Sequence, residues 1–483
     1  MACNISRKAF LGGGLCGLVG LVRLPLLAVG RPRLRFGVIS DVHIGGRKCA
    51  SKRLSYALNW LKAHDADAVL SPGDIMHTGR ISQFEAFMRI WDGVFPDGRR
   101  ADGMRVPLMI STGNHDADDA FWGGASVETM QRERFSYGEN PQRLWRRYLG
   151  QDWQPVWRTE VNGYTFLGSQ WPSFKPALAD YMSAHKAELG GSQPFFYCQH
   201  EMPRGTCHGA YGEGYDKGES VRALSGFPNA VAFSGHSHCS LADEATVWHR
   251  SFTSIGSGCL HEAALQFGYD NCSAFWHPSG KSNFMSPLND QDERWGGDPD
   301  GGCFLLVEVF DSHLVVHRQS SVFEDPIGPD WVVPLPANPG GPFDPAQRTL
   351  TRSAPLFEAG ASATIGVHLK GHPLANRKRA GEACVSLRIP AARPVNGCRV
   401  FTYEIAVRTD GRCIKSGKVF AADFSLPAAQ PSRETLWLVP LSDLPGGGDV
   451  TFEIVPRDCF GHAGRPLVTS PFHVPTVESR EKV

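Results

Sequence analysis

Five short groups of residues along the chain carry the donor atoms that hold metal ions. They are Asp41-Val42-His43, Gly73-Asp74, Gly113-Asn114-His115-Asp116, His200 and Gly235-His236-Ser237-His238. Carboxylate oxygens, imidazole nitrogens and one carboxamide form a mixed N/O set, which suits Mn, Fe or Zn better than Mg or Ca. Asp41 and His43 stand two apart, so an extended chain turns both the same way and both can reach one cation. His236 and His238 share that spacing. Asp74 can bridge two cations, because a carboxylate has two oxygens with spare lone pairs. Gly73, Gly113 and Gly235 precede donor positions, where a missing Cβ permits a sharp turn and close backbone approach. Any one of these groups is common as a polar strand end or turn. Their ordered conjunction predicts a two-metal site over a bridging hydroxide.

The elements that must position these groups can be read from the same stretches. Leu34 to Ser40, Ala68 to Ser71, Val106 to Ser111, Phe195 to Gln199 and Val231 to Ser234 are short apolar runs. Such runs suit strands buried on both faces. Each ends at one of the five groups. Leu54, Ala57, Leu58 and Leu61 recur at helical spacing, as do Phe84, Phe87, Met88 and Trp91. Strand alternating with helix predicts an α/β layered domain, with ligands bound beyond the carboxyl ends of the strands. Among lone histidines, His200 follows the strongest strand run. His185, in a helical stretch, and His208, in a glycine-rich loop, are the alternatives. Alternation turns Cys239 away from its neighbour His238, which marks a structural cysteine.

With these residues in order, the chain resembles the calcineurin-like metallophosphoesterase superfamily over roughly residues 34–325. Its bacterial branch of cyclic-nucleotide phosphodiesterase-like proteins is the most similar. The resemblance implies a four-layered α/β/β/α sandwich. It implies Asp41, His43 and His238 on a first metal, Asn114, His200 and His236 on a second, and Asp74 between them. His115 would sit over the substrate, stabilise transition-state charge and protonate the leaving oxygen. Asp116 would orient that imidazole. Asn114, His115 and His77 are the candidate substrate contacts. His77 falls where the related purple acid phosphatases carry a metal-binding tyrosine, so the iron–tyrosinate chemistry of that branch is not expected.

Length and composition bound the rest. The 483 residues suffice for two or three domains. With 49 basic and 49 acidic residues the formal net charge is zero, so no global field favours nucleic acid or an anionic membrane. Local basic groups, Arg143-Arg146-Arg147 and Arg377-Lys378-Arg379, read as solvated faces. Residues 1–30 carry Ser6-Arg7-Lys8-Ala9-Phe10-Leu11 before a mildly apolar, glycine-rich stretch, the pattern of a twin-arginine-like export signal with Lys8 in place of the second arginine. Arg23 interrupts the apolar run, so no stable membrane span is expected. In an exported chain, disulfides are expected among Cys384, Cys398, Cys413 and Cys459, with the pairing open.

The catalytic domain is expected over 31–325. Hairpins are expected at Asn162-Gly163 and across Asp311-Ser312. The segments Arg204–Glu219, with Tyr211 and Tyr215, and Cys259–Gly302 are candidate pocket walls. A proline-rich linker is expected over 326–349, with Trp331-Val332-Val333 inside it. Over 350–483, short strands separated by Gly and Pro, without an intervening helix, predict a β-sandwich of immunoglobulin or fibronectin type. The function expected is hydrolysis of a small phosphate ester, mono- or diester, by two metal ions. The alternative is a non-catalytic exported binding protein with a relic metal domain, which ought to have lost ligands; none is missing here.

Overall fold

The computed structural model describes residues 30–476 apart from 47, 117–144, 172–174, 208–215, 262, 265–269, 272–296, 299–300, 352–353, 376–378 and 396–397. The export-signal residues, His208, Tyr211, Tyr215, Arg143, Arg377 and Lys378 therefore lie outside the described residues.

Every apolar run that precedes a donor group forms a strand. The first sheet is built on β1 (Leu34–Val38), β2 (Ala68–Ser71) and β3 (Leu108–Ile110), all parallel. Between them lie α1 (Ala50–Ala63) and α2 (Ile81–Val94). The second sheet follows from β4 (Val156–Val161), β5 (Tyr164–Ser169), β6 (Phe195–Gln199), β7 (Ala230–Ser234), β8 (Val247–His249) and β9 (Thr253–Gly256). Its order is β4-β5-β6-β7-β9-β8, and β5, β6, β7 and β9 run parallel. Helices α3 (Lys175–Ala184), α4 (Lys186–Leu189) and α5 (Glu219–Leu224) connect this part of the chain. Asn162 and Gly163 make the turn between β4 and β5 with φ of 48° and 80°, the left-handed pair that a two-residue hairpin requires.

The two sheets share a core in which Phe36 of β1 meets the rings of Phe166, Phe196 and Phe233 at 5.1, 4.8 and 5.7 Å. The opposite face of the first sheet, with Ile39, Val69 and Leu306, packs on Leu54, Leu58, Leu61, Phe84 and Phe87 of α1 and α2. That of the second, with Leu167, Phe195 and Tyr197, packs on Leu178, Met182 and Leu224.

Two residue pairs, β10 (Ala263–Ala264) and β11 (Gly297–Asp298), form a small ribbon. The chain then returns to the first sheet as the expected hairpin of β12 (Cys303–Val309) and β13 (His313–Ser320), with β12 antiparallel to β1. The structure corrects the expected linker. Trp331 to Pro334 is a strand, β14, that closes the sheet edge against β13, giving the order β14-β13-β12-β1-β2-β3. Its residues alternate, Trp331 and Val333 buried and Val332 exposed, which is the pattern of an edge strand and not of a free spacer. A helix, α6 (Pro345–Thr351), follows within the same stretch.

The remainder of the chain is β-rich. One sheet has the order β15-β16-β19, from β15 (Thr364–His368), β16 (Cys384–Ile389) and β19 (Thr435–Pro440). The other joins β17 (Val400–Thr409), β18 (Arg412–Phe420), β20 (Asp449–Asp458) and β21 (Leu467–Val468), with β22 (Phe472–His473) also on β20. Short strands separated by turns build this segment, as expected, and Trp437 of one sheet meets Phe452 of the other. The described residues from Pro32 onward make one compact unit. Part of the expected pocket wall, Asp270 and Asn271, attaches to β18. Asn271 exchanges hydrogen bonds with the backbone of Phe420, at 2.9 and 3.0 Å, and the Asp270 carboxylate accepts the Trp437 indole N–H at 2.8 Å.

Candidate metal centre

The loops after β1, β2, β3, β6 and β7 are laced together by their own backbones. The N–H of Asp41 donates to Gly73 O at 3.1 Å and that of His43 to Asp74 O at 3.0 Å. Gly235 N–H donates to His200 O at 2.8 Å, and His236 N–H to the Asp41 carboxylate at 3.1 Å. The glycines are needed for this closeness. A Cβ on Gly113 would run into the Asp74 carboxylate, and one on Gly235 into the Asp41 carboxylate and the Ser40 hydroxyl.

The backbone reaches this arrangement by a route that spacing alone did not suggest. Asp41, His43, Asp74, His236 and His238 all have positive φ, at 51°, 50°, 53°, 65° and 51°. The Asp-x-His and His-x-His pairs converge through left-handed turns, not through the alternation of an extended strand. Each such residue costs on the order of 1–3 kcal/mol, and such residues persist where the surroundings over-determine them. Among the described residues, half of the ten non-glycine residues with positive φ are donors of this one site.

Two clusters of the expected donors result, and a third group, His43, His77 and His115, adjoins them. Asp41, His43 and His238 place their ligand atoms within 4.8 Å of one another, and so do Asp74, His200 and His236. The Nε2 atoms of His43 and His238 face each other at 3.1 Å, and Asp41 Oδ1 lies 3.1 Å from His238 Nε2. Asp74 Oδ2 lies 3.0 Å from His200 Nε2 and 3.8 Å from His43 Nε2, so its carboxylate stands between the clusters. Asn114 Oδ1 lies 3.0 Å from His200 Nε2. His200 Nδ1 faces the carbonyl of Pro72 at 3.1 Å, which fixes that nitrogen as donor and turns Nε2 toward Asp74 and Asn114. All seven expected donors are therefore brought together. His185 is not among them: it stacks on Tyr181 and faces Glu188 at 3.2 Å.

The electrostatics follow from packing acids and imidazoles out of water. Burial opposes the charge on Asp74, but His200 and His115 outweigh it and hold the carboxyl below its usual range. Burial likewise opposes a charged His200, yet Asp74 raises it to about 9. Burial and the neighbouring His200 push His236 down to about 3. Burial, then His115 and His238, depress His43. Two imidazole nitrogens 3.1 Å apart beside carboxylates, inside a buried pocket, are donor atoms well matched to a cation. The chemistry of the donor set thus fits two divalent ions.

His115 sits beside the first cluster, its ring 4.7 Å from that of His43, and is half-buried. The structure corrects the role expected of Asp116. The partner of His115 Nδ1 is the carbonyl of His77, at 2.9 Å. The fully buried Asp116 carboxylate accepts the backbone N–H groups of Asp74, Met76 and Gly113, each at 2.9 Å. It ties the β2 loop to the β3 loop. Burial and the charge of Asp74 raise it to about 7. His77 lies parallel to His115 at 5.5 Å.

Two residues of the site lie in the expected pocket wall Cys259–Gly302 but were not singled out within it. His261 is buried with its ring 5.2 Å from His43 and parallel to His77, and its N–H donates to Asp41 O at 3.1 Å. Cys259 donates its thiol to the same carbonyl at 3.3 Å and faces His238. Both follow β9, the second strand after the last donor group. That position was the available signal. The cleft of about 400 Å³ lined by Arg35, Trp60, His64, Glu308, His317 and Asp330 lies at the opposite end of β1 and contains none of these residues.

Two three-donor clusters at strand ends, with the Asp74 carboxylate between them, could hold two metal ions. Residues 34–240, the segment that carries all five donor groups, match the model of the calcineurin-like phosphoesterases. Among solved structures the chain is similar to a dimetal phosphatase from Danio rerio, at 11% identity and a TM-score of 0.35, over 63% of this chain and 99% of that one. It is also similar to the purple acid phosphatase PPD1 of yellow lupin, at 14% identity and a TM-score of 0.30, over 61% and 52%. Among curated proteins there is no match.

Proposed function

We propose that the chain hydrolyses a small phosphate ester at a binuclear centre held by Asp41, His43 and His238 on one side and Asn114, His200 and His236 on the other. The observation that carries this reading is the Asp74 carboxylate between the clusters. Two cations bound there would neutralise phosphate charge and make a coordinated water more acidic. The chain's own residues do the rest. The His77 carbonyl holds the His115 Nδ1–H, and the doubly protonated ring donates from Nε2 to the ester oxygen that departs. Asn114 and His77 flank the same opening and contact the phosphoryl group. The two sheets with their outer helices support the four-layered sandwich of this family, and the β-rich segment 350–483 supports an immunoglobulin- or fibronectin-like fold. The domain limits 31–325 and 350–483, membership of the bacterial branch, and export directed by residues 1–30 belong to the same proposal. No helix among the described residues is long and apolar enough to cross a membrane.

The test is hydrolysis of bis-p-nitrophenyl phosphate and p-nitrophenyl phosphate by chelator-stripped protein, before and after adding Mn. Activity restored by metal, with one ester preferred, supports the reading and divides diesterase from monoesterase. No hydrolysis with Mn, Fe or Zn overturns it for these ester classes. His115→Ala should keep both metals while turnover falls about 10²–10⁴-fold, the span for a general acid. Loss of metal from that variant would contradict the assigned role.

A further inference from the structure

Two cysteines outside the metal centre meet at the ends of paired strands. Cys398 lies two residues before β17 and Cys459 one residue after β20, and Val400 pairs antiparallel with Asp458. That register brings the two Sγ atoms to 3.4 Å. Cys398 is buried and Cys459 half-buried. Of the other cysteines expected to pair, Cys384 is buried in β16 and Cys413 is exposed at the start of β18, with its thiol on the carbonyl of Lys415. A disulfide needs the sulfurs to close to about 2.05 Å, a movement that side-chain rotation can supply when the Cβ atoms already face each other.

We propose that Cys398 and Cys459 are a dithiol–disulfide pair that clamps the start of β17 to the end of β20 under oxidising conditions. The oxidant is a small disulfide of the glutathione type. The accessible Cys459 thiolate attacks it, forming a mixed disulfide and releasing one glutathione thiolate, which takes up the Cys459 proton. Cys398 then attacks Cys459 Sγ and releases the second glutathione, which takes the Cys398 proton. One S–S bond of the oxidant becomes one S–S bond of the protein, and two electrons pass to glutathione.

The clamp bears on more than the C-terminal sheets. The Cys459 thiol donates a hydrogen bond to the Asp243 carboxylate, five residues past His238. Oxidation removes that donor, so the redox state of the pair reaches the segment that leaves the metal centre. Burial, the hydrogen bond with Cys398 and the Asp243 charge push the Cys459 thiol up, so exchange quickens as pH rises.

The test uses the full chain equilibrated in reduced and oxidised glutathione, quenched with acid, alkylated and mapped by non-reducing proteolysis and mass spectrometry. The expected result is a peptide pair joined through positions 398 and 459, two fewer free thiols, and Cys413 outside the pair. The oxidised protein should melt several degrees above the reduced one, a difference that Cys398→Ser and Cys459→Ser each abolish. Natively folded protein in which both cysteines stay alkylatable in oxidised glutathione overturns the proposal. So does Cys459 arrested as a glutathione adduct beside a free Cys398. The mapping needs no variant, so a substitution that fails to fold leaves the outcome readable.

Discussion

Asp116 is the residue whose function the structure changes most. Its two oxygens hold three backbone N–H groups from two loops, and these loops carry Asp74 and Asn114. A buried acceptor that satisfies three donors is worth more to the shape of the site than to proton transfer. Asp116→Asn replaces one acceptor oxygen with a donor that faces N–H groups. Loss of a buried charge-assisted hydrogen bond, with donors left unmet, costs about 1–3 kcal/mol, more with charge. We therefore expect lower stability in urea and weaker metal retention together, seen by equilibrium unfolding and by metal analysis after gel filtration. A variant that keeps both metals and full stability while only turnover falls would return Asp116 to an imidazole-orienting role. The donor set itself was legible in the sequence, because residue type and order carry it. The geometry was not. Alternation in an extended chain predicts convergence of Asp41 with His43, whereas the backbone achieves it with φ near 50° at both. Left-handed conformations of non-glycine residues leave no mark in composition, and His261 lacked a companion motif to draw attention to it.

At the scale of elements, strands that end in chemistry were legible because they are short, apolar and bounded by glycine. The fate of Trp331 to Pro334 was not, because four residues among prolines give too little alternation to separate a strand from a spacer. The pairing of β14 with β13 depends on a neighbour far along the chain, which spacing cannot supply. That edge carries a charge network. His317 of β13 faces Asp330 at 2.9 Å and Glu308 of β12 at 3.3 Å, and Glu308 also accepts from Arg35 of β1 at 2.7 Å. Burial lowers His317, but hydrogen bonds to Asp330 and Glu308 outweigh it and raise the imidazole to about 9. A group with a raised folded-state value stabilises fully below its unfolded value, near 6.5, and loses that contribution as pH rises toward 9. Stability in urea should thus decline between pH 6.5 and 9 in the parent, and the decline should flatten in His317→Gln. An unchanged slope in the variant would show that the network contributes nothing. On the acid side, the hydrogen bond from His317, against burial, holds Glu308 down to about 2, so its contribution is lost as pH falls from 4.5 toward 2.

For the whole molecule, the question is whether the catalytic sheets and the β-rich segment fold as one. A single cluster of buried apolar residues runs from Phe36 and Phe233 through Trp331 and Val333 to Tyr403, Trp437 and Phe452. A buried ion network lies along the same path. Glu244, just past the last donor group, holds Arg318 of β13 at 2.9 Å and Arg348 of α6 at 2.6 Å, and takes the Trp331 indole N–H at 3.1 Å. Arg318 also lies over the Trp331 ring at 4.3 Å. Replacing a buried ion pair by apolar residues can be neutral, but removing one partner leaves the other charge uncompensated and costs about 3–5 kcal/mol. Glu244→Gln would strand two buried guanidinium groups at the point where β13, β14 and α6 converge. If the parts are thermodynamically one, calorimetry of the parent shows a single transition and the variant moves all of it down in temperature. If they are separate, the parent shows two transitions and Glu244→Gln shifts mainly the catalytic one, because Glu244 and Arg318 both belong to that part. The continuous apolar cluster and the anchoring of Asp270 and Asn271 on β18 favour one transition. On that outcome the β-rich segment supports the centre by holding the segments that flank it, which requires no donor atom of its own near the metals.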